Sequence, residues 1–262
     1  MCASLLAGAL VSTTAGQNQT TDGPREVIAN GGLIHTLLAA PVTGQPYSAI
    51  QITRMIQTLA DGTTIKKSGQ GHGVARDSAG RVRVERRMTN GANGKPAIMM
   101  VFVLDPVGRA MTIWSTGGPG EKTAVVIKLP AEKGSRPMPA NAAPKGESNR
   151  PQPIITTENL GTETIENLPV EVVKTTTIVP AGRSGNDAPI TKTHEVWTSP
   201  DLKLTMKEQW DDPRTGSRTV ELIKFSRSEP DPALFRAPVD YTVKDLKQTM
   251  KELQERLEQL QN

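Results

Sequence analysis

Apolar and polar residues alternate with a period of two through much of the chain from residue 47 onward. Ile50, Ile52 and Ile56, for example, alternate with Gln51, Thr53 and Gln57, as in a strand with one buried face. Asp61-Gly62 follows, and this pair is typical of a tight hairpin turn. The next strand, 64–76, contains three glycines, which predict a bulge or a sharp bend.

The apolar run Ala97–Leu104 (AIMMVFVL) does not alternate. It is too short to span a bilayer and ends at the turn-forming residues 105–108, so it predicts a strand that is covered on both faces. If one face of the sheet packs on its own curvature and the other lies under a helix, this strand is in the middle.

Residues 193–235 predict a meander of three strands, separated by turn-forming clusters at 199–201 and 211–216. The Pro-rich segment 230–235 ends it, because proline cannot donate to a sheet ladder. The meander predicts four inward residues: Leu202, Leu204, Val220 and Leu222. With the earlier hairpins, it indicates a mainly β fold built on a curved antiparallel sheet.

The C-terminus, 243–262, changes to a helical pattern. Apolar residues recur at spacings of three and four on a background of Lys, Glu and Gln. They are Val243, Leu246, Met250, Leu253, Leu257 and Leu260. A helix of this length is marginal alone in water, so three alternatives remain open: packing on its own domain, pairing with a second copy, and partial fraying.

Residues 1–16 resemble a signal peptide, because an apolar stretch, 3–11, precedes small residues. The basic n-region is missing, which suggests a true start codon further upstream; the alternative is a short buried N-terminal segment. The single cysteine, Cys2, would leave with the signal, consistent with a periplasmic or secreted protein. Residues 17–46 are expected to be a flexible lead with a short helix from Leu33.

Residues 47–242 are interpreted as one β domain interrupted by a disordered Pro-rich loop, 130–153. No catalytic motif stands out: His72 and His194 lack metal-ligand spacing, and Asp211-Asp212 lies in a turn. We therefore expect no enzyme activity, no metal site and no cofactor.

Basic residues are concentrated in the hairpin that contains Arg76, Arg81, Arg83 and Arg87. Two interpretations remain open. The guanidinium groups form an anion-binding row for phosphate or carboxylate, such as lipid head groups at a membrane surface, or they form a solvated strand face. Nucleic acid is not expected as a partner, because no aromatic residues interleave with the arginines.

Three stretches carry a resemblance to a known family: GHGVARDSAGRVRVERR, VFVLDPVGRAMTIW and the final meander with its Pro-flanked Phe235. Together with the N-terminal segment, they resemble the LolA/LppX-like superfamily of exported lipid-carrying proteins. The pattern from Arg76 to Glu85 is also similar to uncharacterised secreted proteins of soil bacteria. The resemblance implies an incomplete β-barrel that one or two helices close, together with the amphipathic C-terminal helix.

The resemblance also implies a non-catalytic binding protein that carries a lipid or another apolar molecule in the concave face of the sheet, with peripheral membrane contact. The residues expected to line this cavity are Ile52, Val101, Trp114, Trp197, Leu204 and Trp210. The alternative is a structural or interaction protein of the cell envelope that forms homo-oligomers through 243–262.

Overall fold

The computed structural model describes residues 41–69, 71–88, 98–117, 122–128 and 151–261. Within these ranges the chain forms one sheet of 13 strands, a 3-10 helix and one α-helix, which confirms the mainly β fold. The strands are β1 (Tyr47–Thr58), β2 (Thr64–Ser68), β3 (His72–Arg76), β4 (Val82–Arg87), β5 (Met99–Asp105), β6 (Ala110–Thr116), β7 (Thr123–Lys128), β8 (Ile154–Ile165), β9 (Leu168–Val179), β10 (Ile190–Ser199), β11 (Leu204–Asp212), β12 (Gly216–Ser226) and β13 (Thr242–Asp245).

The strand order along the sheet is β13-β7-β6-β5-β4-β3-β1-β12-β11-β10-β9-β8, and β2 pairs with β1 outside this path. All pairings are antiparallel except that of β13, which runs parallel to β7. Strand β1 lies in the interior of this order, since it joins β3 on one side and β12 on the other. Strands from both sides of 129–150 therefore belong to the same sheet.

The predicted strand 64–76 is two strands, β2 and β3, which pair with successive halves of β1. The break between them includes Gly71. A Cβ atom at this position would lie 2.5 Å from Cγ2 of Ile50, so the chain passes too close to β1 for a side chain. The glycines that predicted a bend therefore mark a complete interruption of the strand.

The main core joins two distant parts of the sheet. Val74, Val82 and Leu104 from β3–β5 belong to the same buried cluster as Val170 and Leu204 from β9 and β11. The sheet must therefore fold back on itself, as expected for a curved sheet. All four inward residues predicted in the meander are buried, at 5% exposure or less: Leu202, Leu204, Val220 and Leu222.

A second, smaller core lies on the opposite face of β5–β7. Val101, Val103 and Trp114 are buried there against Phe235, which belongs to a 3-10 helix, Pro232–Phe235. Phe102 and Leu104 of the same strand β5 face the main core. The prediction that this apolar strand is covered on both faces is thus confirmed. On this face the cover is the Pro-rich segment after the meander, which includes the short 3-10 helix.

Strands β2 and β8 are exposed almost throughout. Every residue of β2 is exposed, and so is every residue of β8 except Ile165. Ile154 and Ile155, both 59% exposed, are among the surface residues of β8.

The α-helix, α1 (Leu246–Gln261), begins three residues later than the sequence pattern suggested. Val243 belongs to β13 instead, because residues 242–245 pair with β7. Asp245 then caps the helix: its Oδ1 accepts a hydrogen bond from the backbone N of Gln248 at 2.7 Å. No helix in the described ranges is long and apolar enough to cross a bilayer.

Several predicted features fall outside the described residues. They are the signal peptide, the short helix from Leu33 and most of the Pro-rich loop.

Candidate ligand-binding face

Arg76, the first arginine of the basic hairpin, is only 1% exposed. Its Nε donates to the backbone oxygen of Gln45 at 2.9 Å, and its Nη2 donates to that of Leu202 at 2.7 Å. The guanidinium also lies over the ring of Tyr47, 5.0 Å from its centroid. Arg76 therefore connects the hairpin to the meander inside the protein, and its guanidinium is not presented to a ligand at the surface.

Arg81 is held by the buried Asp77 and faces the C-terminal segment. The Asp77 carboxylate accepts from the backbone N of Arg81 at 2.8 Å and from its Nε at 2.6 Å. The Arg81 guanidinium then lies 5.2 Å from the centroid of the Phe235 ring, a cation–π distance. Nearby, Ser78 pairs with Glu229, so the turn between β3 and β4 anchors the chain that leads into the 3-10 helix.

Arg83, two residues after Arg81, contacts the same C-terminal segment. Its Nη1 donates to the backbone oxygen of Leu234 at 2.8 Å, and its Nη2 bonds the Glu85 carboxylate at 2.7 Å. The guanidinium covers the ring of Trp114 at 5.5 Å. Arg81 and Arg83 are thus occupied by contacts within the protein, while Arg87 is exposed at the end of the strand. A ligand-binding role for this set remains a prediction.

The opposite side of β4 carries Val82, Val84 and Arg86, because side chains alternate along a strand. We call this side, which is continuous with the main core, the core face. We call the side under residues 232–241 the tail-covered face. Arg86 is half-buried, and burial lowers the pKa of its guanidinium. Arg86 is not among the arginines predicted to bind a ligand, although its alternation with two inward valines was a signal that could have identified it.

His72 lies beside Arg86 on the core face. Val74 and Val84 are direct partners between β3 and β4. His72 and Arg86 each lie two residues from this pair, so their side chains are on the same side of the sheet. Nε2 of His72 is 2.7 Å from Oε1 of Gln51, which is buried. Desolvation, and secondly the charge of Arg86, lower the pKa of His72, while Glu85 opposes them. The lowered pKa favours the neutral form of His72.

Apolar side chains continue from Arg86 across the core face. Met100 on β5 is the direct partner of Arg86, and Phe102 is the next inward residue on that strand. On β6, Ser115 pairs with Met100 and Ile113 pairs with Phe102. Met100, Phe102 and Ser115 are half-buried, so the core face becomes accessible as it leaves the main core. We call Arg86, Met100, Phe102 and Ser115 the Arg86 patch.

The six residues predicted to line one cavity are divided among several places. Val101 and Trp114 belong to the small core on the tail-covered face, whereas Trp197 and Leu204 belong to the main core. Ile52 is half-buried outside both clusters. Trp210 stacks on His194, with ring centroids 4.8 Å apart. These residues therefore do not enclose a common cavity within the described part of the chain.

A shallow depression lies between β1, β11 and β12, and Gln51, Met206, Glu208 and Leu222 are among its lining residues. Its volume is about 10 Å³, which is roughly the room needed for one water molecule. It is too small for a lipid chain.

The described residues contain no group of three or more His, Cys, Asp or Glu side chains placed to hold a metal ion. His194 lies 3.5 Å from Glu208, but the two form only a pair.

No protein-family description and no curated protein sequence matches this chain. Among solved structures, PNGF-II is similar at 14% identity and a TM-score of 0.37, over 80% of this chain and 33% of PNGF-II. MucB in complex with MucA(peri) is similar at 12% identity and a TM-score of 0.36, over 79% of this chain and 59% of MucB. The chain thus spans about a third of PNGF-II and less than two thirds of MucB.

A LolA superfamily protein from Nitrosomonas europaea is also similar, at 9% identity and a TM-score of 0.29, over 78% of this chain and 96% of that protein. The predicted resemblance to LolA/LppX-like proteins is confirmed in that such a protein is among the structural matches. All three identities are below 25% and all three TM-scores are below 0.5.

Proposed function

We propose that the protein is a non-catalytic, exported binding protein that holds a lipid or another apolar ligand on the core face of β5–β7. The observation that carries the proposal is the difference between the two faces of these strands. Phe235 closes the tail-covered face, whereas Met100 and Phe102 stay half-buried on the core face. Half-buried apolar side chains beside a core offer a ligand a surface that is already partly dehydrated.

The ligand would extend this surface from the main core outward. Phe102 and Met111 already pack against the main core, so an apolar chain that covers them would continue the buried cluster without a rearrangement of the sheet. Val125 pairs with Ile113 on the next strand and widens the same face. Each additional methylene that such a ligand buries contributes about 0.8 kcal/mol.

Adjacent methionines on β5 provide a matched test. Met100 lies on the core face and Met99 on the tail-covered face, and both are half-buried. Binding of the neutral fluorescent probe N-phenyl-1-naphthylamine is measured by titration for wild type, Met100→Gln and Met99→Gln. We expect Met100→Gln to weaken binding about fivefold, equivalent to about 1 kcal/mol, and Met99→Gln to leave it within about twofold.

Native mass spectrometry of the gently purified protein gives an independent test, with a co-purifying lipid as the expected result. Failure of wild type to bind the probe, together with the absence of a co-purifying apolar molecule, would contradict the proposed function. Equal loss of binding in both methionine variants would place the ligand elsewhere.

A second candidate function is assembly through the C-terminus, and the exposure of its apolar residues favours it. Met250 of α1 is 54% exposed, although it belongs to the predicted apolar seam. Val243, which is 57% exposed, lies in β13 instead. A partner helix would cover such a seam. We expect a ligand-free oligomer in light scattering that dissociates on deletion of 243–262; a monomer at all concentrations would exclude this candidate.

A further inference from the structure

We propose that the ligand is an amphiphile with an anionic head, a carboxylate or a phosphate monoester, and that Arg86 binds this head while the apolar chain lies along Met100 and Phe102. This inference rests on the proposed function and names the chemistry of the ligand. It comes from the one arginine of the basic hairpin that lies on the core face and is only half exposed.

Arg86 differs from Arg76, Arg81 and Arg83 in its hydrogen bonding within the described part of the chain. Arg76, Arg81 and Arg83 all bond to carbonyl or carboxylate oxygens of the protein. Arg86 forms no hydrogen bond or ion pair within the described part of the chain, although it is half-buried. A partly desolvated charge is unfavourable unless it is paired. An anion bound at this position would therefore offset the desolvation free energy of Arg86 in the folded protein.

Glu85 is the direct sequence neighbour of Arg86, but it points to the other side of the strand and bonds Arg83 at 2.7 Å. Its carboxylate also lies 3.0 Å from the position that a Cβ of Gly73 would occupy, which places it on the tail-covered face. The carboxylate closest in sequence is therefore already used, and Arg86 remains available to an external anion.

Gln51 is uncharged and burial favours the neutral form of His72, so neither polar neighbour on β1 or β3 brings a negative charge to Arg86. A guanidinium presents parallel N–H donors that match the two oxygens of a carboxylate or a phosphate. This favours an anionic head over an alcohol or an ester.

Met100 is the direct cross-strand partner of Arg86, and Phe102 follows two residues along β5 towards the main core. A head at Arg86 therefore has a continuous apolar path beside it, and this path leads to Leu104, which is fully buried. An anion without a chain would gain the charge contact alone.

The test is the displacement of N-phenyl-1-naphthylamine by four competitors, used below their aggregation concentrations: laurate, dodecyl phosphate, dodecanol and inorganic phosphate. Wild type should bind laurate and dodecyl phosphate at least about tenfold more tightly than dodecanol. Inorganic phosphate should not displace the probe, because it lacks the chain. This comparison within wild type requires no variant.

Arg86→Gln should weaken laurate and dodecyl phosphate about tenfold and leave dodecanol within about twofold. Arg87→Gln is the matched control, because Arg87 is the exposed neighbour on the other side of the strand; it should leave all competitors unchanged. Arg86→Lys should keep part of the preference, since the charge remains and the fork is lost. Circular dichroism establishes that the variants fold.

The results separate the two levels of the proposal. If dodecanol binds as tightly as laurate and dodecyl phosphate, the anionic head is excluded while the apolar site stands. An equal loss of affinity for all three C12 compounds in Arg86→Gln would also overturn the inference, because it would indicate a structural role for Arg86. If no C12 compound binds wild type, the proposed function itself fails.

Discussion

Both faces of β4–β7 carry arginines beside apolar side chains, but these residues have different roles on the two faces. On the tail-covered face, Arg81 and Arg83 bond a short segment of the chain and help to bury Phe235. On the core face, Arg86 stands beside half-buried Met100 and Phe102 with no anion from the described chain. The comparison shows that an arginine on a strand is interpretable only together with the side of the strand on which it lies.

Removal of Phe235 should have the largest effect on the tail-covered face. Phe235 is 4% exposed and packs in the small core, so Phe235→Ala should lower the free energy of unfolding by about 3 kcal/mol. Urea denaturation provides the measurement. The control is Leu234→Ala at an adjacent side chain that is 39% exposed, for which we expect less than about 1 kcal/mol. Equal effects would show that the segment does not close this face.

Replacing an arginine by leucine should change the free energy of unfolding differently on the two faces. Arg83→Leu removes the bonds to Leu234 and Glu85 and should cost about 2 kcal/mol in the same measurement. Arg86→Leu removes a half-buried charge that has no partner there, so it should be neutral or stabilising by up to about 1 kcal/mol. A large loss of stability in Arg86→Leu would contradict the difference between the faces.

A smaller effect should come from the hydroxyl group of Tyr241, at the edge of the tail-covered face. This hydroxyl donates to the backbone oxygen of Ser115 at 2.7 Å. Tyr241→Phe should lower the free energy of unfolding by about 1 kcal/mol and leave probe binding on the core face unchanged. Altered binding of N-phenyl-1-naphthylamine in this variant would show that the two faces are coupled.

The smallest effect should be a pH dependence from His72 on the core face. Its pKa is lowered in the folded protein, chiefly by desolvation, so the unfolded chain takes up the proton first. Stability is therefore full above the unfolded pKa of about 6.5 and declines as the pH falls below it. Denaturation midpoints of wild type and His72→Gln between about pH 7 and pH 5 test this; the slope should be shallower in the variant, and identical slopes would refute it.

Much of the fold was predictable because its signals are local. Alternation identified the strands, and the unbroken run AIMMVFVL indicated a strand with two buried faces, as β5 proves to be. The partners of Arg81 and Arg83 were not predictable in this way, since Phe235 and Leu234 lie about 150 residues further along the chain. Their pairing depends on how the sheet curves and on where the last segment returns.

The candidate site was only partly predictable for a related reason. The basic hairpin was identified correctly as a cluster of charge, but composition does not distinguish an arginine that holds the fold from one that faces a ligand. Phase relative to the buried residues Val82 and Val84 separates Arg86 from Arg83 and Arg87 within β4. Arg76 of β3 lies opposite Val82 and holds the fold from the core face, so its bonds had to be seen in the structure. The aromatic residues expected around one cavity were grouped by type alone, and the structure places Trp114 and Trp197 in different cores.

The position of β1 has a consequence for the rate at which the protein folds. β1 pairs with β12, so Arg54 lies opposite Thr219 although more than half of the chain separates the two residues in sequence. The two parts of the sheet therefore cannot join until the meander has been synthesised, and closing so long a loop comes before most of the stabilising contacts form. We expect refolding in milliseconds to seconds or slower, a delay that stopped-flow fluorescence would measure.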